Sequence, residues 1–223
     1  MRLKSNTWWA FGIIFGVLLI DQILKIWIKT HMRIGEEFQI LGNRGFIHFT
    51  ENEGMAFGMT LGGAWGKLIL SLFRIVAIGA LGWYITKLIK QKAKKGIIIC
   101  MSLILAGAAG NLFDSAFYGL IFNDSYYQIS TFFPAEGGYA PFLHGRVVDM
   151  FYFPLISGHF PQWLPFWGSE EFIFFRPVFN IADASITTGV LALLIFQHSF
   201  FKKNIEEKTS SETIENNEVI DNN

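Results

Sequence analysis

Four apolar segments divide the chain, and each is long enough to cross a bilayer as a helix. They cover about residues 9–28, 68–89, 97–120 and 178–196. Two longer loops lie between them, at about 29–66 and 121–176. The pattern predicts an all-α membrane protein with four transmembrane helices, built as one domain over residues 1–203. The polar residues 204–223, rich in Glu, Asn, Ser and Thr, predict a disordered cytoplasmic tail.

Basic residues predict the orientation of these spans. Five lysines and no acidic residue connect the second and third spans, at positions Lys87, Lys90, Lys92, Lys94 and Lys95. Arg2 and Lys4 precede the first span, and Lys202 and Lys203 follow the fourth. Cytoplasmic loops carry an excess of such residues, so both termini are predicted inside and both long loops outside. No small-x-small cleavage site follows the first span, which predicts a retained helix rather than a cleaved signal peptide.

The two outer loops predict different structures. In the first loop, residues 38–41 and 46–50 flank Gly42-Asn-Arg-Gly, which predicts a hairpin in a small extracytoplasmic β-sheet. The second loop contains Trp163, Trp167, many phenylalanines and several prolines. Aromatic rings are favoured at the headgroup level, so this loop is predicted to be an interfacial aromatic lid.

Composition supports the membrane class and excludes others. The chain is 52% hydrophobic, 17% aromatic and 16% charged, with a mean hydropathy of +0.37. Its formal net charge is zero, which gives no basis for nucleic-acid binding. Cys100 is the single cysteine and lies in an apolar run, so we interpret it as a packing residue. The five histidines are scattered, and neither a metal nor a cofactor is predicted.

Two aspartates, Asp149 and Asp183, lie in apolar surroundings, where an ionisable side chain is costly and is a functional candidate. Each also has a structural explanation. Asp149 would be an interfacial residue that is solvated or paired with Arg146. Asn180 would cap the fourth helix, with Asp183 stabilised in its first turn by the helix dipole. Together, however, they flank the same loop at the same outer level, where two carboxylates sharing a proton can activate water.

Polar residues also occur within the first and third spans. Asp21 and Lys25 lie one helical turn apart on the same face, which favours a structural ion pair that orients the helix. The third span ends in a segment that begins at Gly107 and contains Asn111 and Asp114. Its small residues favour close helix packing. Asn111 and Asp114 fit a structural network and a site equally well.

A glycine-containing segment in the first outer loop, Asn52-Glu-Gly-Met-Ala-Phe-Gly, has two interpretations. It is typical of a turn that closes a sheet around Gly54. Alternatively, Asn52 would donate hydrogen bonds to the backbone of a bound substrate. The residues by themselves do not distinguish these interpretations.

Five motifs in this order resemble one family. They are Asp21-Gln-Ile-Leu-Lys25, Asn52-x-Gly54-x-Ala56-Phe57-Gly58, Gly110-Asn111-x-x-Asp114, Val147-Val148-Asp149 and Phe179-Asn180-x-Ala182-Asp183. The chain resembles the lipoprotein signal peptidases, also called signal peptidase II, from its first span through its fourth. The resemblance implies an aspartic endopeptidase of the bacterial inner membrane. That family removes the signal peptide from prolipoproteins, just before a cysteine that carries diacylglycerol.

The resemblance also implies roles for individual residues. Asp149 and Asp183 match the catalytic dyad of the family. Matches to site-supporting or substrate-contacting positions are Asp21, Lys25, Asn52, Gly54, Asn111, Asp114, Asn180 and Ala182. The resemblance implies no cofactor, and it implies inhibition by globomycin-like cyclic peptides. The protein is predicted to be a monomer. The alternative without enzymatic activity is a small transporter subunit or a lipid-binding module, although no internal repeat is present.

The chain departs from the family pattern at two places. Ser115 stands where the family usually has arginine, and Arg146 or Arg176 is the candidate source of the missing positive charge. An insertion at about 122–144 separates Asp114 from Asp149, which extends the outer loop over the site.

Overall fold

The computed structural model describes residues 2–54, 63–154, 156–159, 161–163, 169, 171–174 and 177–196. Three of its helices are long and apolar enough to cross a membrane. They are α1 (Arg2–His31), α2 (Gly63–Lys90) and α3 (Lys95–Phe113). Each forms because a long, mostly apolar run without proline satisfies its own backbone hydrogen bonds. The first three predicted spans are therefore confirmed, although α1 begins earlier than predicted, at Arg2.

Two short segments extend α3. A π-helical turn (Asp114–Tyr118) follows it directly, and α4 (Gly119–Ile121) follows the turn. A π-helical turn shifts the direction of the side chains that follow, and such turns are frequent at functional sites. Here the turn contains both Asp114 and Ser115, and both are buried.

The fourth apolar segment forms a shorter helix, α5 (Ile181–Phe196), up to the last residue that the structure describes there. The predicted start at residue 178 is wrong, because Val178 and Phe179 pair with a strand of the sheet. The start of α5 packs closely on α3. A Cβ atom at Gly107 would lie 2.2 Å from the carbonyl oxygen of Ala182, so only glycine allows this approach.

In the described part of the chain, six strands form two antiparallel sheets. They are β1 (Glu37–Gln39), β2 (Phe46–Asn52), β3 (Val147–Tyr152), β4 (Ile156–His159), β5 (Glu171–Phe174) and β6 (Val178–Phe179). The larger sheet has the order β1-β2-β3-β6, and β4 pairs with β5. The predicted β1–β2 hairpin is confirmed. The second outer loop was expected to be an aromatic lid, but it also supplies β3 to this sheet, and β6 comes from the start of the predicted fourth span. Its strands are short and partly apolar on both faces, so no alternating pattern revealed them.

The sheet packs on the helices at the level of the third span's end. Its core contacts come from α1, β2, β3 and the turn after α3, and the buried members are Ile28, Met32, Phe49, Tyr118, Phe122, Val148 and Met150. Val148 and Met150 point into this core, so Asp149 between them points to the opposite face of β3. The sheet thereby holds the first candidate aspartate against the helices.

A buried polar network ties the insertion to α1 and β2. The Lys29 ammonium donates to the Ser125 hydroxyl at 2.6 Å and forms a salt bridge with Glu51. Ser125 also bonds to Ser130 at 2.7 Å. Arg146 bridges Glu51, at 2.9 Å, and Asp124, at 2.8 Å. The insertion is therefore anchored to the strand that carries Asn52.

Candidate active site

Asp149 lies on β3 with both carboxylate oxygens occupied by amide donors. Asn180 Nδ2 donates to Oδ1 at 2.6 Å, and Asn52 Nδ2 donates to Oδ2. Asn52 reaches it because β2 places Thr50 opposite Asp149, which leaves Asn52 diagonally adjacent on the same face. The alternative in which Asp149 is solvated or paired with Arg146 is wrong. Asp149 is 4% exposed, and Arg146 pairs with Glu51 and Asp124 instead.

Burial controls the protonation of Asp149. Removal from water, followed by the negative charge of Asp183, raises its pKa to about 8. The charge of Lys25 and the hydrogen bond from Asn180 oppose this shift. At neutral pH the Asp149 carboxyl therefore keeps its proton and is able to donate a hydrogen bond.

Asp183 lies in the first turn of α5, where Asn180 caps the helix as predicted. The backbone N–H of Asp183 donates to Asn180 Oδ1 at 2.9 Å, and Asn180 N–H donates to Asp183 Oδ2 at 3.4 Å. This reciprocal pair is a capping box. The Asn180 side chain thus contacts Asp183 through its oxygen and Asp149 through its nitrogen. Asn180 therefore both caps α5 and contacts the two aspartate residues.

Asn111 on α3 connects Asp183 to the buried Lys25. Asn111 Nδ2 donates to Asp183 Oδ1 at 2.7 Å, while Lys25 Nζ donates to Asn111 Oδ1 at 3.0 Å. An ammonium group only donates, so the amide oxygen must face Lys25 and the amide N–H must face Asp183. Asn180 Nδ2 also donates to Asn111 Oδ1, at 3.2 Å, so Lys25 and Asn180 together fix the orientation of the Asn111 amide.

Lys25 itself is held between two buried carboxylates. Its Nζ lies 2.8 Å from Asp21 Oδ2 and 2.7 Å from Asp114 Oδ2. The Asp21–Lys25 pair expected from helical spacing is therefore present, and Asp114 extends it to a third member. Asp21 also accepts the backbone N–H of Ala182 at 2.9 Å. A carboxylate at this helix N-terminus is favoured by unpaired donors and by the dipole, so α1 anchors the start of α5.

A cavity of about 550 Å³ opens between these elements. Its wall includes both aspartates and six further polar or glycine positions, namely Thr50, Glu51, Asn52, Gly54, Arg74 and Asn111. Asn52 Oδ1 accepts the N–H of Gly54 at 2.5 Å, and Gly54 has a φ of 88°. The glycine turn that follows the strand is therefore present and lines the cavity, whereas a hydrogen bond from Asn52 to a substrate backbone stays a prediction. Its continuation through Ala56 and Phe57 lies outside the described residues.

The positive charge beside Ser115 comes from α2. Arg74 Nη1 donates to Ser115 Oγ at 3.3 Å, and Arg74 Nη2 donates to the carbonyl oxygen of Gly54 at 2.6 Å. Arg146, one of the two expected sources, is instead engaged with Glu51 and Asp124. Arg176, the other, lies outside the described residues.

Two residues at the site were not singled out from the sequence. Arg74 interrupts the middle of the second apolar span, and a lone charge there was a usable signal. Gln22 donates to Asp114 Oδ1 at 2.9 Å and accepts the Tyr118 hydroxyl at 3.0 Å. A glutamine beside Asp21 carried no comparable signal. Within the described part of the chain, no group of three or more His, Cys, Asp or Glu side chains is placed to hold a metal ion.

Apolar helices around a cavity with two carboxylates define a membrane-embedded aspartic peptidase. A model of the family described as signal peptidase (SPase) II matches residues 13–200. The chain belongs to the signal peptidase II family. Its function is that of this family, the removal of signal peptides from prolipoproteins, which sets aside the alternative without enzymatic activity.

Related proteins agree with this assignment. A lipoprotein signal peptidase of Porphyromonas gingivalis is 52% identical over 185 residues, which is 82% of this chain and 80% of that protein. One from Amoebophilus asiaticus is 34% identical and covers 98% of this chain and 92% of its own length. A bacterial membrane enzyme solved at 1.9 Å resolution superposes with a TM-score of 0.54 at 25% identity, covering 83% of this chain and 90% of its own. The fold is therefore shared with a membrane enzyme.

Proposed function

We propose that Asp149 and Asp183 are the catalytic dyad that hydrolyses the peptide bond before the lipidated cysteine of a prolipoprotein. The observation that carries this proposal is the Asn180 side chain, which contacts both carboxylate-bearing residues at the wall of one cavity. Two carboxyl groups in such proximity do not both ionise readily, so they titrate as a unit.

In the proposed mechanism the two aspartates have different roles, because their environments differ. Asp149 is buried and keeps its proton, so it donates a hydrogen bond to the scissile carbonyl oxygen. Asp183, in the first turn of α5, is assigned the role of general base. It takes a proton from water as that water attacks the carbonyl carbon. The proton then passes to the leaving amine as the tetrahedral intermediate collapses.

The remaining motif matches support the dyad without reacting. Asn52, Asn111 and Asn180 hold the carboxylates by hydrogen bonds. The other supporting positions, Asp21, Lys25, Asp114 and Ala182, hold α1, α3 and α5 together beneath the dyad. Arg146 supports the dyad indirectly, because it pairs with Glu51, which precedes Asn52 on β2. Preorganised partners of this kind reduce reorganisation during the reaction.

We further propose four spans, with α5 as the fourth, in one domain over residues 1–203 and with both termini in the cytoplasm. The lysine-rich connection from α2 to α3 supports this orientation, because it lies at the opposite end of α3 from Asp114. The dyad and the sheet would then lie at the outer face. In a Cys100→Ser background, an impermeant thiol reagent should label Gly42→Cys from outside intact cells but not Lys92→Cys. The reverse pattern would refute the orientation.

The substrate's diacylglycerol chains would lie in lipid beside the helices, with the aromatic loop clamping the peptide at the interface. Trp163 is 79% exposed and supports such a contact. Trp167 of the same loop lies outside the described residues. Deletion of residues 163–167 should impair cleavage of lipidated substrate, and unchanged cleavage would refute this role.

We also propose that the protein is a monomer, which light scattering would test. Globomycin-like peptides would inhibit it by occupying the cavity, which a competition assay would test.

The pH profile of kcat/KM tests the proton assignment. Because Asp149 must keep its proton, activity should fall as pH rises through about 8, roughly tenfold per further pH unit. The fall on the acid side should report protonation of the second carboxyl. The measurement is the initial cleavage rate of a diacylglyceryl prolipoprotein between about pH 5 and 10, with folding checked at each pH. A profile that stays flat through this alkaline range would contradict the assignment.

A further inference from the structure

A half-buried arginine faces the proposed dyad from α2. Arg74 lies in the wall of the cavity that also contains Asp149 and Asp183. The carboxylates whose charges act on its guanidinium are those of Asp183 and Asp114. Placing a cation in an apolar helix costs free energy, so a compensating interaction is expected.

The hydrogen bonds of Arg74 do not neutralise its charge. Its two bonded nitrogens donate to uncharged groups, the Gly54 carbonyl oxygen at 2.6 Å and the Ser115 hydroxyl at 3.3 Å. These bonds orient the guanidinium and fix its distance from the cavity. The backbone is adapted to this approach, because a Cβ atom at Gly54 would lie 2.8 Å from Arg74 Nη1. Gly54 also has a φ of +88°, which L side chains rarely adopt.

The other charged groups around the dyad are already paired. Lys25 from α1 bridges Asp21 and Asp114, which leaves that triad with one net negative charge. Glu51 from β2 forms salt bridges with Lys29 and Arg146. Among the described residues at the cavity wall, Arg74 is therefore the cation that pairs with neither of these clusters. Its charge acts on the dyad.

We propose that Arg74 is a positioning residue that favours the singly ionised dyad over the fully protonated dyad. This inference rests on the dyad proposed above. An opposite charge near a carboxyl group favours its ionised form. The arginine thereby extends the acid range in which one carboxylate remains available to accept a proton from water.

Uncharged variants of Arg74 test this role through the pH profile. The variants are Arg74→Gln and Arg74→Met, the second with an apolar side chain. In both, the acid limb of the kcat/KM profile should move up by about one pH unit. On that limb, cleavage should therefore fall about tenfold relative to the parent protein. The assay uses the purified full chain and a diacylglyceryl prolipoprotein, with the unfolding temperature measured in parallel. Arg44→Gln, at an exposed turn, is the matched control and should leave the acid limb in place.

A second-site change provides the rescue. The Ser115 hydroxyl lies 3.3 Å from Arg74 Nη1, so a long side chain rooted at position 115 reaches the same region. The double variant Arg74→Gln/Ser115→Arg should return the acid limb towards its parental position. A merely structural role for Arg74 would not respond to a charge supplied from another helix.

Three results would overturn the inference. One is a uniform loss of kcat/KM with unmoved limbs, including complete inactivity in folded uncharged variants. Another is a double variant that does not restore the limb. The third is failure of both uncharged variants to fold, which would assign Arg74 to stability. Asp149→Asn and Asp183→Asn belong in the same series, because retained activity there refutes the dyad itself, whereas unmoved limbs in Arg74→Gln refute this inference alone.

Discussion

Asp149→Asn and Asp183→Asn should each lower kcat by at least about 10³-fold, because an amide neither accepts the proton of the attacking water nor supplies an acidic proton. The substitutions keep the size of the side chain, so cavity shape and helix packing should persist. The measurement is cleavage of a diacylglyceryl prolipoprotein by purified protein in detergent. The effects of the two substitutions should not add, since both residues serve one step.

The two variants should differ in stability, which provides an internal check. Asp183→Asn still offers an amide oxygen to Asn111 Nδ2 and loses only the long 3.4 Å contact from the Asn180 N–H, so its unfolding temperature should remain close to the parental value. Asp149→Asn places an NH₂ group against one of the two amide donors at Asn180 and Asn52. An unmatched buried donor costs about 1–3 kcal/mol. Asp124→Asn, in the insertion, is the matched control and should cleave at the parental rate. Retained activity in either dyad variant would contradict the assignment.

Lys25→Met should produce the largest loss of stability. The substitution removes the cation between the buried carboxylates of Asp21 and Asp114, which lie 2.8 and 2.7 Å from it. Breaking a buried pair in this way costs about 3–5 kcal/mol. Activity should fall about 10²-fold, because the Asn111 amide keeps only the longer of its two donor contacts, from Asn180 Nδ2 at 3.2 Å, and is poorly oriented towards Asp183. Chemical unfolding in micelles and cleavage assays measure the two effects.

A double variant separates charge from orientation. Lys25→Met/Asp114→Asn removes one unpaired carboxylate and should recover part of the lost stability, while cleavage stays low because Asn111 remains poorly oriented. Lys87→Met, at the exposed lysine-rich end of α2, is the matched control and should change neither quantity. Parental stability in Lys25→Met would contradict the buried triad.

Local sequence patterns predicted much of the fold. Three spans and the β1–β2 hairpin followed from apolar runs and from Gly42 and its neighbours, because these features act within one element. The contribution of β3 and β6 to the sheet did not follow. Val147–Tyr152 pairs with β2 across about a hundred residues of chain, and such long-range pairing leaves no local periodicity.

The site was predictable to a different extent. The motifs identified the aspartates and their asparagine partners, but sequence order did not show that Asn180 contacts both aspartates or that Lys25 orients Asn111. The source of the charge beside Ser115 was sought in nearby loops, at Arg146 and Arg176. It comes from Arg74 on another helix, a contact that depends on how α2 packs beside the turn after α3.

The central claim, that the dyad activates water for direct attack, is tested most directly by single-turnover cleavage in H₂¹⁸O. The protein is mixed in excess with a diacylglyceryl prolipoprotein, and both products and protein are examined by mass spectrometry. We predict one ¹⁸O atom in the new C-terminal carboxylate of the released signal peptide and none in Asp149 or Asp183. Label in either aspartate side chain, or an unlabelled signal peptide, would indicate a covalent acyl-enzyme and contradict the claim.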